Sequence, residues 1–198
     1  LLKQIEKVDI IFSGSPRFNR KDNYRQKLIN FLIKKDIKVL ICAPKRLWKK
    51  SNFNIDRNFE KNLFFSSHNY WATNEMYNKS KFVLDLPWLD TIIPELEEQF
   101  DPQFALGWNV FRSGFHGSNL ISYDCEMNRN IGLNESNCFF YKSNIKELYN
   151  LANEIEYIIK NMDKSKIENN KLEIKKHFLK NHCYSHRWDF IISKLIKN

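Results

Sequence analysis

The apolar positions of this chain fall into short β-rich runs separated by stretches of helical spacing. Val8-Asp9-Ile10-Ile11-Phe12 stops at Ser13-Gly14-Ser15-Pro16, and an apolar run ended by a Gly/Ser/Pro turn predicts a strand. Tyr24, Leu28, Phe31 and Leu32 then recur at helical spacing, which predicts an amphipathic helix from Asn23 to about Lys35. Ile37–Ala43 is a second apolar run, halted by Pro44. Two strands joined by a helix within about 40 residues make a βαβ unit, whose right-handed crossover leaves the strands parallel. Lys45–Asn62 is polar and basic and is expected to be irregular, with Leu63-Phe64-Phe65 a short strand after it.

The alternation continues downstream. Ala72–Lys79 reads as a short helix, Phe82–Leu86 as a strand ended by Pro87, and Pro87–Gln103 as a loop carrying the acids Glu95, Glu97, Glu98 and Asp101. Asn109–Gly117 is expected to be a helix closing at Gly117, followed by a strand over Ser118–Tyr123. Cys138–Tyr141 is another strand. A long helix should start near Asn144 and run to about Lys160, with apolar residues at 145, 148, 151, 152, 155, 158 and 159. Ser143 before it forms half of a capping signature. Helices over Lys164–Leu179 and His186–Ile196 complete the chain. Strands alternating with helices argue for an α/β domain, a Rossmann-like three-layer sandwich with a mostly parallel sheet.

Composition narrows the class. With 198 residues, 42% of them hydrophobic, the chain can bury a full core as one domain. That share excludes a disordered chain, and 5 Gly and 5 Pro exclude a collagen-like one. No apolar run approaches the roughly 18–20 residues of a membrane-spanning helix. Cys42, Cys125, Cys138 and Cys183 form no CxxC pair, so free thiols in a reducing cytosol are expected. Leu1–Lys7 carries charge before the first apolar run, unlike a secretory leader. The chain opens without Met, as a piece of a longer protein would. The net charge of +9 points toward phosphate-bearing ligands or an anionic membrane surface. Lys outnumbers Arg about three to one and Asn is abundant, however, so compositional drift accounts for part of that charge.

Open α/β sheets bind ligands beyond the carboxyl ends of their strands, near helix N-termini. Ser13-Gly14-Ser15, with Arg17 and Arg20 behind it, offers small residues for close backbone approach and cations for a phosphate. It lacks the spacing of a GxGxxG fingerprint or a P-loop. Gly107–Asp124 brings three Gly, Arg112, His116 and several hydroxyls into one turn–helix–strand segment. His182, Cys183 and His186 do not match a zinc-knuckle spacing. Trp48 and Phe53 within the basic stretch Lys45–Arg57 would suit single-stranded nucleic acid, although a solvated loop explains them as well.

Several of these pieces follow one family's order. Ile10–Gly14 with Arg25–Leu32, then Val39–Cys42 with Trp48, are followed by Tyr77-x-x-Ser80-Lys81-x-x-Leu84-x-Leu86. Asn109–Gly117 with Leu120–Asp124, and His182-x-Tyr184-x-x-Arg187, complete the series. In this order and spacing the chain resembles the C-terminal half of GT-B glycosyltransferases, most closely the spore-maturation (CgeB-like) group. The resemblance implies a nucleotide-sugar-binding Rossmann-like domain over 1–180 and a C-terminal bracing helix over 181–198, to which His182, Tyr184 and Arg187 belong. It further implies an acceptor-binding domain N-terminal to this chain.

The activity it implies is transfer of a sugar from a nucleotide-activated donor to a glycan, lipid-linked or protein acceptor. No cofactor and no obligatory metal are expected. Nor is a nucleic-acid partner; the protein is expected in the cytoplasm, with peripheral attachment at the inner membrane face. Carried over residue by residue, Gly14 and Ser15 would lie under the donor phosphates, with Arg20 or Arg25 neutralising them. Arg112, Ser113, His116, Gly117, Ser118 and Asn119 would belong to the segment that meets nucleoside and sugar. One position departs from the family: Arg112 stands where a Glu usually accepts from the ribose hydroxyls, so an acceptor has become a cationic donor. An unusual acidic donor, substitution by Glu95, Glu97 or Asp101, and loss of donor binding are the three readings of that change. The last makes the chain a non-catalytic module for partner or membrane-surface docking.

Overall fold

The computed structural model describes residues 8–14, 24–50, 53, 55–66, 76–77, 80–86, 108–143, 147–183, 185–186 and 192–193. Its strands are β1 (Ile10–Phe12), β2 (Val39–Cys42), β3 (Leu63–Ser66), β4 (Phe82–Leu84), β5 (Leu120–Tyr123) and β6 (Phe139–Tyr141). The helices are α1 (Tyr24–Lys34), α2 (Lys45–Lys50), α3 (Trp108–His116), α4 (Glu126–Asn130), α5 (Leu148–Asn161) and α6 (Lys164–Asn181). All neighbouring strands pair parallel, in the order β3-β2-β1-β4-β5-β6. That is the strand order of the doubly wound Rossmann fold, in agreement with the sequence.

A parallel sheet covered on both sides needs apolar residues on both faces, which is why the strands read as near-continuous apolar runs. Alternation places Ile10, Phe12, Val39, Ile41, Phe82, Leu84, Ile121, Phe139 and Tyr141 on one face. There they meet Leu28, Ile29, Leu32 and Ile33 of α1 and Leu151, Ala152, Ile155 and Ile159 of α5. On the other face Leu120 and Cys138 pack against Val110 of α3 and Ile174 and Phe178 of α6. Ile11, Leu40 and Cys42 pack there with Met76. The helix α1 and strand β2 arise where hydrophobic spacing placed them.

The stretch expected to be irregular is ordered instead. Lys45–Lys50 is α2, and Arg57–Asn62 is a 3₁₀ turn capped by Asp56, whose carboxylate accepts from the Asn58 amide at 3.0 Å. One aromatic explains the difference. Trp48 is 1% exposed and sits edge-on to Phe12, Phe53 and Phe65, with centroids 6.2, 5.0 and 6.3 Å away. Such a cluster stabilises a two-turn helix whose own periodicity is too short to register. An indole inside the core is also no stacking platform for nucleic-acid bases.

Two further corrections concern helix ends. Helix α4, between β5 and β6, was not expected. Ser143 does not cap the long helix: its hydroxyl donates to Glu154 at 2.6 Å, and Glu147 holds the N-cap position. Asp163 does cap α6, accepting from the Lys166 amide at 2.7 Å. The expected helix Ala72–Lys79 is described only at Met76 and Tyr77, and most of His186–Ile196 lies outside the described residues. So does the loop with Glu95, Glu97, Glu98 and Asp101. Among the described residues no helix is long and apolar enough to cross a membrane. The four cysteines are free thiols, and Cys42, Cys125 and Cys138 are buried.

Candidate functional site

In a doubly wound sheet the crevice opens where successive connections leave for opposite faces, here between β1 and β4. The chain runs from β1 to α1 on one face and from β4 to α3 on the other. Register shows what lines this edge. Cys42 is paired with Ser66, and Phe12 with both Ile41 and Leu84, so Ser13 stands between Cys42 and Asp85. Leu84 pairs with Ile121, which sets Asp85 beside Ser122. One rung therefore reads Ser66, Cys42, Ser13, Asp85, Ser122, on the face that α3 covers. The rung two residues earlier is apolar: Phe64, Leu40, Ile11, Val83 and Leu120. The sheet turns polar at its carboxyl edge.

Helix α3 is tied to that edge by its first turn. The Asn109 amide donates to the Ser13 carbonyl at 3.1 Å and its oxygen accepts from the Tyr77 hydroxyl at 2.7 Å. Tyr77 is wholly buried and bridges the layer. At its backbone end, the carbonyl accepts from Ser118 at 2.7 Å and Ser80 at 3.1 Å. The Asn119 amide donates to the Lys81 carbonyl at 2.9 Å. The Tyr-x-x-Ser-Lys spacing is thus a staple between the approach to β4 and the segment ahead of β5. Tyr77→Phe is expected to cost about 1 kcal/mol in urea denaturation, the usual net worth of one buried hydrogen bond.

The predicted residues fall into separate places. Gly14 follows β1 at the edge. A Cβ there would lie 2.7 Å from Cζ of Phe12, a ring flanked by Trp48 and by the Arg25 guanidinium 5.7 Å away. Arg25, buried in the first turn of α1, lies near enough to Asp85 to favour its ionised form. Arg112, one turn into α3, bears electrostatically on Cys42, Tyr77 and His116. Gly14, Arg25 and Arg112 therefore gather with Asn109 around the carboxyl end of the sheet. His116, Gly117, Ser118 and Asn119 do not. Helix α3 runs back along the sheet and β5 starts only at Leu120, so these four sit at the opposite, amino edge. Gly117 holds φ +65° there at the end of α3. Ser113 is buried in mid-helix. Ser15 and Arg20 lie outside the described residues.

Protonation follows from burial. Burial pushes the Cys42 thiol up to about 12, with Arg112 opposing only in part. The Tyr77 phenol is raised, first by burial and then by Cys42. Burial, then the charges of Arg112 and Lys175, lower His116, so its ring is neutral at pH 7. Burial also raises the Asp85 carboxyl to about 6, against the Ser122 hydrogen bond and the Arg25 charge. The edge thus offers cations, backbone amides and one buried carboxyl rather than an activated nucleophile.

Sequence reading did not single out Asp85 or Ser122 as site residues, and it noted Asn109 only as a position where the resembled family often has Arg. A signal for Asp85 and Ser122 was available: in four strand runs an apolar pair is followed by a polar or thiol residue, Leu-Ile by Cys42, Phe-Phe by Ser66, Val-Leu by Asp85 and Leu-Ile by Ser122. At the tail, the ring Nε2 atoms of His177 and His182 meet the Ile131 carbonyl at 2.7 and 2.9 Å and tie the end of α6 to the turn after α4. Tyr184 and Arg187 lie outside the described residues. Among the described residues no three His, Cys, Asp or Glu side chains are grouped to hold a metal ion.

No protein-family model matches the sequence, and no curated protein matches it. Solved structures do. A glycosyltransferase from Rickettsia africae superposes with TM-score 0.63 at 15% identity, covering 99% of this chain and 52% of that one. S. aureus TarM, solved with fondaparinux, α-GlcNAc-glycerol and UDP, gives TM-score 0.61 at 12% identity over 96% of this chain and 35% of that one. The C-terminal domain of the group 1 glycosyl transferase LpcC from Francisella tularensis gives 0.55 at 11% identity, with 92% of each chain covered. The chain thus spans about a third to a half of the first two and matches the isolated LpcC domain nearly end to end. Its fold is the Rossmann-like α/β fold shared by these GT-B glycosyltransferase structures.

Proposed function

We propose that this chain is the nucleotide-sugar-binding half of a GT-B glycosyltransferase of the CgeB-like kind, transferring sugar to a glycan, lipid-linked or protein acceptor held by a preceding domain. The observation that carries this reading is the β1/β4 edge. There Ser13-Gly14, the tethered first turn of α3, and the cations Arg25 and Arg112 meet in a fold whose solved examples include a UDP complex. Backbone amides at a helix start and guanidinium groups stabilise the negative charge that develops on a departing nucleoside phosphate. Ser15 and Arg20 belong to the same phosphate-side set by sequence. Ser113, His116, Gly117, Ser118 and Asn119, carried over from the resemblance as the segment that meets nucleoside and sugar, would instead support α3 and β5. The chemistry proposed needs no obligatory metal and no further cofactor, and the protein would work in the cytoplasm or against the inner membrane face.

A second reading is favoured by Arg112, whose cation stands where the resembled family carries a carboxylate. It makes the chain a non-catalytic module docking on a partner or an anionic membrane. One experiment separates the two: thermal shifts with UDP-, GDP-, dTDP- and CMP-sugars beside flotation with phosphatidylglycerol vesicles. The transferase reading expects a rise of several degrees with one nucleotide class. Vesicle binding that collapses with salt, with no response to any nucleotide sugar, overturns it in favour of the module.

A further inference from the structure

Asp85 is anchored at its backbone and at one carboxyl oxygen, while the other oxygen is buried without a partner among the described residues. Its amide donates to the Ile121 carbonyl at 2.9 Å, and its own carbonyl accepts from the Tyr141 hydroxyl at 3.1 Å. Its Oδ2 accepts from the Ser122 hydroxyl at 3.0 Å. The direction of that bond is set from behind. Asn128 must present its NH₂ to the Tyr123 carbonyl at 2.8 Å, and the same nitrogen donates to the Ser122 oxygen at 3.0 Å. The single Ser122 proton is therefore left for Asp85. Oδ1 is buried and has no hydrogen-bond partner among the described residues, although Asp85 is only 1% exposed.

Such an arrangement works against stability. A buried carboxylate with one bare oxygen is costly unless something completes it, and burial here outweighs both the Ser122 bond and the Arg25 charge. The Oδ1 of Asn128 behind it is bare among the described residues as well, but that is a neutral amide oxygen; an ionisable carboxyl left incomplete at the ligand crevice of the fold is a mark of a working group. The other edge carboxylate, Asp124, is already bound to Arg129 at 2.7 Å. Arg112 and Arg25 can only donate. Asp85 is a carboxyl at this edge with an oxygen still able to accept a hydrogen bond from a ligand hydroxyl.

We propose that Asp85 accepts a hydrogen bond from a ligand hydroxyl at the β1/β4 crevice, and that ligand binding completes its bare oxygen. The proposal rests on the nucleotide-sugar reading, which supplies hydroxyls from either of two sources, the nucleoside ribose or the transferred sugar.

Asp85→Asn is the discriminating variant. Its amide oxygen must take the Ser122 proton, which puts the NH₂ where the bare oxygen stood and points a donor at a donor. Calorimetric titration of wild type and variant at pH 7.5 would use UDP-, GDP-, dTDP- and CMP-sugars and the matching bare nucleotides. The variant should bind the preferred nucleotide sugar about ten- to a hundredfold more weakly, the loss of one charge-assisted hydrogen bond. Equal loss for the bare nucleotide assigns the ribose; loss confined to the nucleotide sugar assigns the transferred sugar. Wild-type binding with unchanged affinity in the variant overturns the proposal and leaves the transferase reading standing. Absence of wild-type binding to the whole panel removes that reading and this one with it.

Stability supplies an independent readout. Because folding raises the Asp85 carboxyl above its ordinary value, its stabilising contribution is complete below about pH 4 and is lost as pH rises through about 6. The variant should therefore melt about 3–6 °C higher than wild type at pH 8 and about equal to it at pH 4. The surrounding ionisable groups keep their charge across that window. Tyr77, Cys125, Cys138 and Tyr141 are all raised, chiefly by burial. A variant less stable than wild type at pH 8 would make Asp85 a plain structural residue and overturn the proposal.

Discussion

Gly114→Ala is expected to destabilise the protein by about 2 kcal/mol, although alanine is the better helix former. The two effects oppose each other in mid-α3. Helix propensity favours Ala over Gly by about 1 kcal/mol. Against this, a Cβ at Gly114 would lie 2.2 Å from Cγ of Phe178, inside any contact distance. Whether the clash wins depends on whether that ring can move. It is buried on α6, edge-on to Phe111, Phe115 and His177 with centroids 5.8, 5.7 and 5.6 Å away, and tilted against His182 at 4.8 Å. A ring held on four sides cannot turn aside cheaply, and forced overpacking of such a core costs about 1–3 kcal/mol. Steric cost at the upper end of that range exceeds the propensity gain. Urea denaturation of Gly114→Ala decides the matter, since a variant as stable as wild type would mean that α3 and α6 do not approach this closely.

Arg112→Ala should weaken nucleotide-sugar binding by about ten- to a hundredfold, the worth of a charge-assisted contact to a phosphate or acidic sugar. Two features give Arg112 this weight. It sits on the helix whose first turn is tethered to the end of β1 through Asn109, and its charge reaches Cys42 on the polar rung and the Tyr77 phenol that bonds Asn109. The Arg112→Glu variant sharpens the test. If Arg112 holds an anionic group, a carboxylate there repels it and binding falls further. If the ligand needs a ribose acceptor at this position, the same change strengthens binding. The account expects the former, and tighter binding by Arg112→Glu would refute it. A control is independent of any ligand: without the guanidinium, His116 should titrate at a higher pH, because burial and Lys175 alone would then depress it. NMR titration of the His116 ring checks this, and an unmoved midpoint would place Arg112 elsewhere.

The layered fold was legible because parallel strands buried on both faces leave unbroken apolar runs, and Pro44 and the Ser13–Pro16 turn mark two of their ends. Helix α2 was not, because its single anchor Trp48 derives its stability from rings contributed by Phe12 and Phe65, remote in sequence. Single-segment periodicity cannot register a contact of that kind. The site was legible only in part. Small residues and the family resemblance nominated Gly14, Arg25 and Arg112, which the fold gathers at one edge of the sheet. The resemblance drew Ser118 and Asn119 into the same site, although the direction of α3 carries them to the other edge. Asp85 looked like an ordinary strand end until register set it beside Ser122. What made it a candidate was a missing partner, which only three-dimensional neighbours reveal.

We place the ligand site of this chain at the carboxyl edge between β1 and β4. Mapping amide chemical-shift changes by ¹H–¹⁵N NMR during titration with the best nucleotide sugar tests it most directly. Shifts are expected to concentrate at Ser13, Gly14, Cys42, Asp85, Asn109 and Arg112, with Gly117–Asn119 at the amino edge nearly still. Shifts centred on Gly117–Asn119, or on α6 away from the sheet, would contradict it.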